Sequence, residues 1–155
     1  MSILNERGEQ TCAAAIASGD NAGVSQRNID VHDRVVQAVN ARKVPEEVLA
    51  PGFQMENRAS AVTDYTYHGE RGWAEWMGDL FESFADGARY AVEEIIAVGE
   101  DFVAARFSVV GRGASSGEPL EFRWVGVTWF RDGKATRAVG YSSRREALHA
   151  VGLID

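Results

Sequence analysis

The sequence predicts a single α+β domain, in which helices come first and a run of antiparallel strands follows. Apolar residues recur every three to four positions in most of the first half of the chain, as on one face of a helix. After Gly87 they recur at every second position, as in strands. The length of 155 residues is typical of one domain. Helices grouped before antiparallel strands are typical of the α+β class.

The N-terminal segment, residues 1–23, is rich in small residues and has no wide apolar stripe. We interpret it as an extension with one short helix around 9–18, and we expect the domain proper to span 24–155. Residues 26–41 carry apolar side chains at helical spacing, so they predict the first helix. Ser25 precedes this helix and is a residue type that caps helix N-termini.

The middle of the chain predicts two helices with a strand between them. Prolines at both ends delimit a short helix over 45–50, and alternating apolar residues predict a strand over 53–57. Residues 59–69 lack a period and predict a loop. Apolar residues from Trp73 to Phe84 at helical spacing give the strongest helical signal in the sequence.

The remainder of the chain predicts four strands and a final short helix. Turn residues separate strands over 89–98, 102–112, 119–131 and 134–142. The last two strands are joined by Asp132-Gly133, a strong signal for a two-residue hairpin. A capping-box pattern at residues 143–146 predicts a helix that ends at Gly152.

Composition excludes several classes of protein. The net charge of −7 and the absence of a basic cluster argue against a nucleic-acid partner. The single cysteine, Cys12, argues against disulfides and thiolate zinc sites, and three scattered histidines give no metal-ligand spacing. No apolar run reaches the roughly 20 residues that span a bilayer. We therefore expect a cytoplasmic protein that binds no membrane, metal or cofactor.

The late strands are apolar on both faces. Along 119–131, Phe122, Trp124 and Phe130 point one way. Val125, Val127 and Trp129 point the other. An antiparallel sheet with one face in water has a polar face. One face is therefore expected to hold the helices, and a second copy of the chain is expected to cover the other, giving a homodimer.

Short stretches throughout the domain resemble a known family, the SnoaL-like branch of the nuclear transport factor 2-like superfamily. The resemblance implies a cone-shaped, curved antiparallel or mixed sheet wrapped around about three helices, a cystatin-like α+β roll, with a pocket at its open end. It also implies that dimers are common. The matching stretches are residues 25–28 with 39–42, 67–73, 116–120, 130–134 and 146–153.

The family includes enzymes whose catalytic residues can be carried onto this sequence. Resemblance to ketosteroid isomerase places its carboxylate base at Asn57, its tyrosine at Val35 and its second acid at Gly126. Asparagine cannot take a proton, and glycine offers no side-chain donor. That mechanism is therefore not expected here.

Limonene epoxide hydrolase is a second comparison. Resemblance to it retains an arginine at Arg106 and an asparagine at Asn57, but gives Met55 for the tyrosine. Its two aspartates fall on Ser108 and Gly140, and the acid/base aspartate of SnoaL-type cyclases also falls on Gly140. No carboxylate carried over from these enzymes remains to activate water.

The candidate catalytic residues are Asn57, Arg106 and His68, each of which has an alternative structural role. Asn57 could cap a loop, Arg106 could form an ion pair with Glu56, Glu94 or Asp64, and His68 could cap the entry to the third helix. His32 is expected to be packed in the core. The expected ligand-pocket residues are Met55, Asn57, Tyr67, Trp76, Met77, Phe84, Arg106, Ser108, Trp124, Gly126 and Gly140.

The leading hypothesis is a pocket that binds a small, apolar molecule of terpenoid, polyketide or steroid size. The alternative is a cofactor-independent hydrolase, cyclase or dehydratase, with His68, Asp64 or Glu56 as its acid or base. A second alternative is a non-catalytic dimerisation module with a closed interior.

Overall fold

The computed structural model describes residues 4–5, 9–10, 22–58 and 65–155. Within these residues, three helices and a six-stranded mixed sheet form the predicted α+β cone. In chain order the elements are β1 (Leu4–Asn5), β2 (Glu9–Gln10), α1 (Ala22–Asn40), a 3-10 turn (Glu46–Val48), β3 (Leu49–Asn57), β4 (Thr66–His68), α2 (Gly69–Phe81), β5 (Arg89–Val98), β6 (Phe102–Arg112), β7 (Pro119–Arg131), β8 (Lys134–Tyr141) and α3 (Arg144–Ala150). No helix in the described ranges is long and apolar enough to cross a membrane.

The large sheet has the strand order β4-β3-β8-β7-β6-β5. Neighbouring strands within this sheet are antiparallel, except for β3 and β8, which are parallel to each other. The sheet is therefore mixed. Asp132 and Gly133 both have positive φ, 53° and 77°. These angles are those of the hairpin turn that an Asp-Gly pair favours, and the predicted β7–β8 hairpin is confirmed.

Helices pack on both faces of the sheet. On the inner face, α1 and α2 enclose the main core, to which β6 contributes Val103, Ala105, Phe107 and Val109. On the outer face, α3 packs against a second apolar cluster. Two helices therefore lie inside the cone and the third covers its outside.

The outer cluster is buried within a single chain, and this bears on the predicted dimer. Three of its members, Ala104 on β6, Val127 on β7 and Val139 on β8, are at most 1% exposed within one chain. The apolar outer face therefore does not by itself require a second copy, and homodimerisation stays a prediction.

Several element bounds differ from those predicted. Ser25 lies inside α1 and does not cap it; its hydroxyl donates to the carbonyl oxygen of Gly99. The short second helix is only a 3-10 turn, because β3 already begins at Leu49. The short helix expected at 9–18 is a strand at 9–10, and the rest of it lies outside the described residues.

The segment around α2 also differs. Residues 66–68, predicted as loop, form β4 because they pair with β3 at the edge of the sheet. The helix ends at Phe81, and Phe84 follows in a turn. Phe84 fits the helical spacing because it is buried in the same core as the helix, and not because it is helical.

Side chains of helix α1 form hydrogen bonds with β5 and with the turn that follows β5. Near its start, the side-chain amide of Asn28 donates to the carbonyl oxygen of Glu100 at 2.7 Å. At its end, the amide of Asn40 donates to the carbonyl oxygen of Tyr90 at 2.7 Å and accepts from the Tyr90 N–H at 2.9 Å. One side chain thus satisfies both backbone groups of a residue in the edge strand.

Replacing Asn40 by Leu should lower the free energy of unfolding by about 1–2 kcal/mol, because it leaves both backbone groups of Tyr90 without their partner. Urea unfolding followed by circular dichroism measures this loss. Gln37→Leu, at an exposed position on the same helix, is the matched control and should change stability by less than about 0.5 kcal/mol. Equal stability of the two variants would contradict the role of Asn40.

Candidate functional site

A cavity of about 710 Å³ lies between the inner face of the sheet and helices α1 and α2. Its volume falls within the roughly 300–1,000 Å³ range of small-molecule pockets. Exposed polar residues from β3, α2 and β7 (Asn57, Asp79, Glu121 and Arg123) form a rim around its opening. The apolar part of the wall includes Val35, Val36, Phe53, Met55, Trp73, Trp76, Leu80, Phe107, Trp124 and Ala138.

Aromatic rings cover much of this wall. The centroids of Trp73 and Trp76 are 5.3 Å apart, and Trp76 meets the edge of Tyr90 at 6.1 Å. Phe107 stacks on Tyr90 at 5.4 Å and on Trp124 at 5.7 Å. These are the distances of aromatic pairs that stabilise one another. The wall is therefore a connected set of flat apolar surfaces.

His32 on α1 contributes a buried imidazole to the cavity wall. It is 2% exposed, and its ring lies 5.6 Å from that of Phe107. Its Nδ1 has no hydrogen-bond partner in the part of the chain that the structure describes. Burial lowers the pKa of His32 from 6.5 to about 4, because the charged form loses its hydration. The imidazole is therefore neutral at pH 7.

A hydrogen-bonded pair of acidic and phenolic groups lies on the wall between β4 and α2. The hydroxyl of Tyr67 donates to Oδ2 of Asp79 at 2.6 Å. Burial, together with this hydrogen bond and the negative charge of Asp79, raises the pKa of Tyr67 well above its ordinary value. A carboxylate held in this way can accept a hydrogen bond or a proton from a molecule in the cavity.

The structure brings seven of the eleven expected pocket residues to the cavity. These seven come from β3, β4, α2, β7 and β8 and lie on one continuous wall. Their contact with a ligand stays a prediction. They are Met55, Asn57, Tyr67, Trp76, Trp124, Gly126 and Gly140.

Arg106 and Ser108 lie elsewhere, and their expected place in the pocket is corrected. On β6 the residues that face the cavity side are Ala105 and Phe107, so Arg106 and Ser108 point to the outer face. Arg106 forms an ion pair with Glu94 at 2.8 Å. This is the structural alternative for Arg106, and it occurs on the face opposite to the cavity.

Three further expected site residues lie away from the wall. Met77 and Phe84 are buried in the main core but do not line the cavity. His68 is exposed at the residue before α2, and its side chain makes no capping hydrogen bond. Glu56 lies at the wall, but it binds Arg58 and Arg137, and those hydrogen bonds hold the pKa of Glu56 below its usual range. Asp64 lies outside the described residues.

Three polar residues of the wall were not predicted as site residues from the sequence: Asp79, Tyr90 and His32. Asp79 is three residues after Trp76, a spacing that places both on one side of a helix. Tyr90 and Val92 occupy alternate positions of β5, as on one face of a strand. These signals were present, but they could not be separated from ordinary packing.

No group of three or more metal-binding side chains occurs among the described residues.

Comparisons with known proteins agree with this architecture. A family model for the SnoaL-like domain matches residues 32–138. A search of curated proteins found no match. Among solved structures, the chain is similar to a proposed SnoaL-like polyketide cyclase from Jannaschia sp. CCS1, with a TM-score of 0.65 and 16% identity over 89% of this chain and 99% of that one.

Two other solved structures share the fold. An NTF2-like protein of unknown function from Mesorhizobium loti has a TM-score of 0.61 and 19% identity over 82% of this chain and 97% of that one. A cystatin-fold protein from Novosphingobium aromaticivorans has a TM-score of 0.57 and 20% identity over 73% of this chain and 96% of that one. The family model matches more than half of the chain, and the cone agrees with it. The chain therefore belongs to the SnoaL-like domain family, within the nuclear transport factor 2-like superfamily.

Proposed function

We propose that this protein binds a small, mostly apolar molecule of terpenoid, polyketide or steroid size in the cavity of the cone. The observation that carries the proposal is the cavity of about 710 Å³ with its wall of aromatic and aliphatic side chains. Burial of apolar surface stabilises binding by roughly 25 cal/mol per Å² before the costs of association. The similar protein from Jannaschia is a proposed polyketide cyclase, which supports a ligand of this size.

Filling the cavity should weaken binding of a neutral apolar probe. Ala138 lines the cavity on β8, so Ala138→Phe should lower the affinity for N-phenyl-1-naphthylamine at least about tenfold by occupying the space of the probe. Ala74→Phe, at an exposed position on α2, adds the same ring outside the cavity and should leave the affinity unchanged.

Fluorescence of the probe measures its affinity for each variant. A wild-type protein that does not bind the probe, or an equal loss in both variants, would contradict the proposed pocket. Mass spectrometry of molecules that co-purify with the wild type and not with Ala138→Phe would identify a natural ligand.

The second candidate is a cofactor-independent hydrolase, cyclase or dehydratase that acts on such a ligand. The hydrogen bond from Tyr67 to Asp79 favours it, because it holds a carboxylate at the cavity wall where a proton could be transferred. Conversion of the co-purified molecule by the wild type and not by Asp79→Asn would support an enzyme. Equal binding without conversion by either protein would support a binding protein.

The dimerisation module is the third candidate. A cavity of this size argues against it, because a filled interior is the feature that would favour a purely structural role. A homodimer that also binds a ligand is compatible with the proposed function. Sedimentation equilibrium gives the mass of the assembly directly.

A further inference from the structure

Buried polar groups without partners collect on one wall of the cavity. His32 and Tyr90 are 2% and 6% exposed. Nδ1 of His32 has no hydrogen-bond partner, and both hydrogen bonds found for Tyr90 in the described structure are made by its backbone. Nε1 of Trp73, on the same wall, also lacks a partner among the residues that the structure describes. Because buried polar groups are nearly always hydrogen-bonded, this accumulation indicates a partner that the folded chain does not itself provide.

His32 and Tyr90 both pack against one aromatic ring, that of Phe107. The centroid of Phe107 is 5.6 Å from that of His32 and 5.4 Å from that of Tyr90. We call the region formed by these three residues the inner end of the cavity. Gly126 lies beside it, and a side chain there would come within 2.9 Å of the Phe107 ring. The glycine therefore lets the Phe107 ring lie close against β7.

None of the charged residues of the wall belongs to the inner end. The charged wall residues are Glu56, Asp79, Glu121 and Arg123, all on β3, α2 or β7. Arg123 is already paired with Glu121 at 2.6 Å and with Glu93 at 3.2 Å. Of the described residues at the inner end, none carries a charge at pH 7, since burial lowers the pKa of His32 to about 4. A carboxylate or ammonium group would therefore be buried there without a counter-charge.

We propose that the inner end recognises an uncharged oxygen of the ligand, a hydroxyl or a ketone, through the imidazole of His32 and the hydroxyl of Tyr90. The inference rests on the proposed function, because it names the chemistry of the molecule that the cavity binds. A neutral imidazole has one donor and one acceptor nitrogen, and a phenol hydroxyl can do both. The pair can thus donate to a ketone, or donate to and accept from a hydroxyl.

The same pair rejects molecules that lack such an oxygen. A hydrocarbon leaves both groups unpaired, and sites built to hydrogen-bond a substrate oxygen discriminate strongly against analogues without it. The ligand class is therefore a neutral alcohol or ketone on an apolar skeleton, with the oxygen at the buried end. Carboxylic acids and plain hydrocarbons of the same shape are excluded by charge and by missing hydrogen bonds, respectively.

Three probes of one shape test the inference by titration calorimetry: 2-naphthol, 2-methylnaphthalene and 2-naphthoate. The wild type should bind 2-naphthol at least about tenfold more tightly than either of the others. Tyr90→Phe and His32→Phe, which keep the rings, should each reduce this preference to about threefold or less. Tyr65→Phe is the control, because the Tyr65 hydroxyl binds Glu75 at an exposed site outside the cavity.

The outcomes separate the two proposals. Tight binding of 2-methylnaphthalene with no preference for 2-naphthol overturns the inference and leaves the apolar pocket intact. A preference that both Tyr90→Phe and His32→Phe retain also overturns it. Binding of none of the three probes overturns the pocket and the inference together. Should one ring variant fail to fold, the other still decides the result.

Discussion

His32 alone is expected to lower the free energy of unfolding by about 3 kcal/mol as the pH falls from 7 to 4. Burial lowers its pKa from 6.5 to about 4 in the folded protein. Between these two values the unfolded chain binds the proton and the folded chain does not, so acid favours unfolding. The contribution of the neutral imidazole to the free energy of unfolding is therefore fully present above pH 6.5. It is lost as the pH falls to about 4.

Urea unfolding of the wild type and of His32→Phe at a series of pH values measures this effect. The phenylalanine keeps a ring beside Phe107 and Phe130 but cannot bind a proton. The variant should gain stability relative to the wild type by about 2 kcal/mol between pH 7 and pH 5. His68→Phe, at an exposed position, controls for loss of an imidazole. Parallel pH curves for wild type and His32→Phe would show that His32 is accessible to water.

Gly72→Val is expected to destabilise the protein by about 3 kcal/mol, among the largest effects of a single substitution at this fold's helices. Gly72 lies on the buried side of α2, where β4 crosses it. A Cβ atom there would lie 2.7 Å from the backbone carbonyl carbon of Tyr67 and 3.1 Å from its Cα. Backbone cannot rotate away as a side chain can, so α2 and β4 would have to separate.

The matched control is Gly78 on the same helix. A Cβ atom at Gly78 meets no other atom within 4 Å. Gly78→Ala should therefore raise the free energy of unfolding, by up to about 1 kcal/mol, since alanine favours a helix more than glycine does. Gly72→Ala should lower it, and thermal unfolding of the two variants separates these signs. If Gly72→Ala were more stable than the wild type, β4 would be able to move away from α2 at little cost in free energy.

The strands after Gly87 could be predicted closely, and the reason is local. Residues 89–98, 102–112 and 119–131 alternate in character and are separated by turn residues, so their bounds agree with the structure to the residue. The Asp132-Gly133 turn needs two residues with positive φ, and an Asp-Gly pair is a strong sequence signal for such a turn. Local backbone preference and alternation were sufficient for these elements.

The faces of the strands were harder to predict than their bounds. On β6 the residues around Arg106 are apolar on both faces, because α3 and the outer cluster cover the side opposite to the cavity. Alternation then says which residues share a face but not which face is inside. Arg106 and Ser108 were therefore assigned to the pocket, although they lie outside it.

Empty space leaves no signal in a sequence. His32 has the spacing of a packed core residue, and it is indeed buried. Whether a buried residue meets another side chain or a cavity depends on how several elements are arranged around it. For the same reason β4 was predicted as loop, since its three residues become a strand only by pairing with β3.

The hydrogen bonds of Asn40 also bear on how this protein avoids aggregation. Strand β5 is the last strand of its sheet, and such edges can accept a strand from another molecule. At Tyr90 both backbone groups already bind Asn40, so an incoming strand finds neither a donor nor an acceptor there. The C-terminal end of α1 thus prevents another strand from pairing with β5 at Tyr90. Loss of Asn40 would lower stability and would also allow fibre-like growth at this edge.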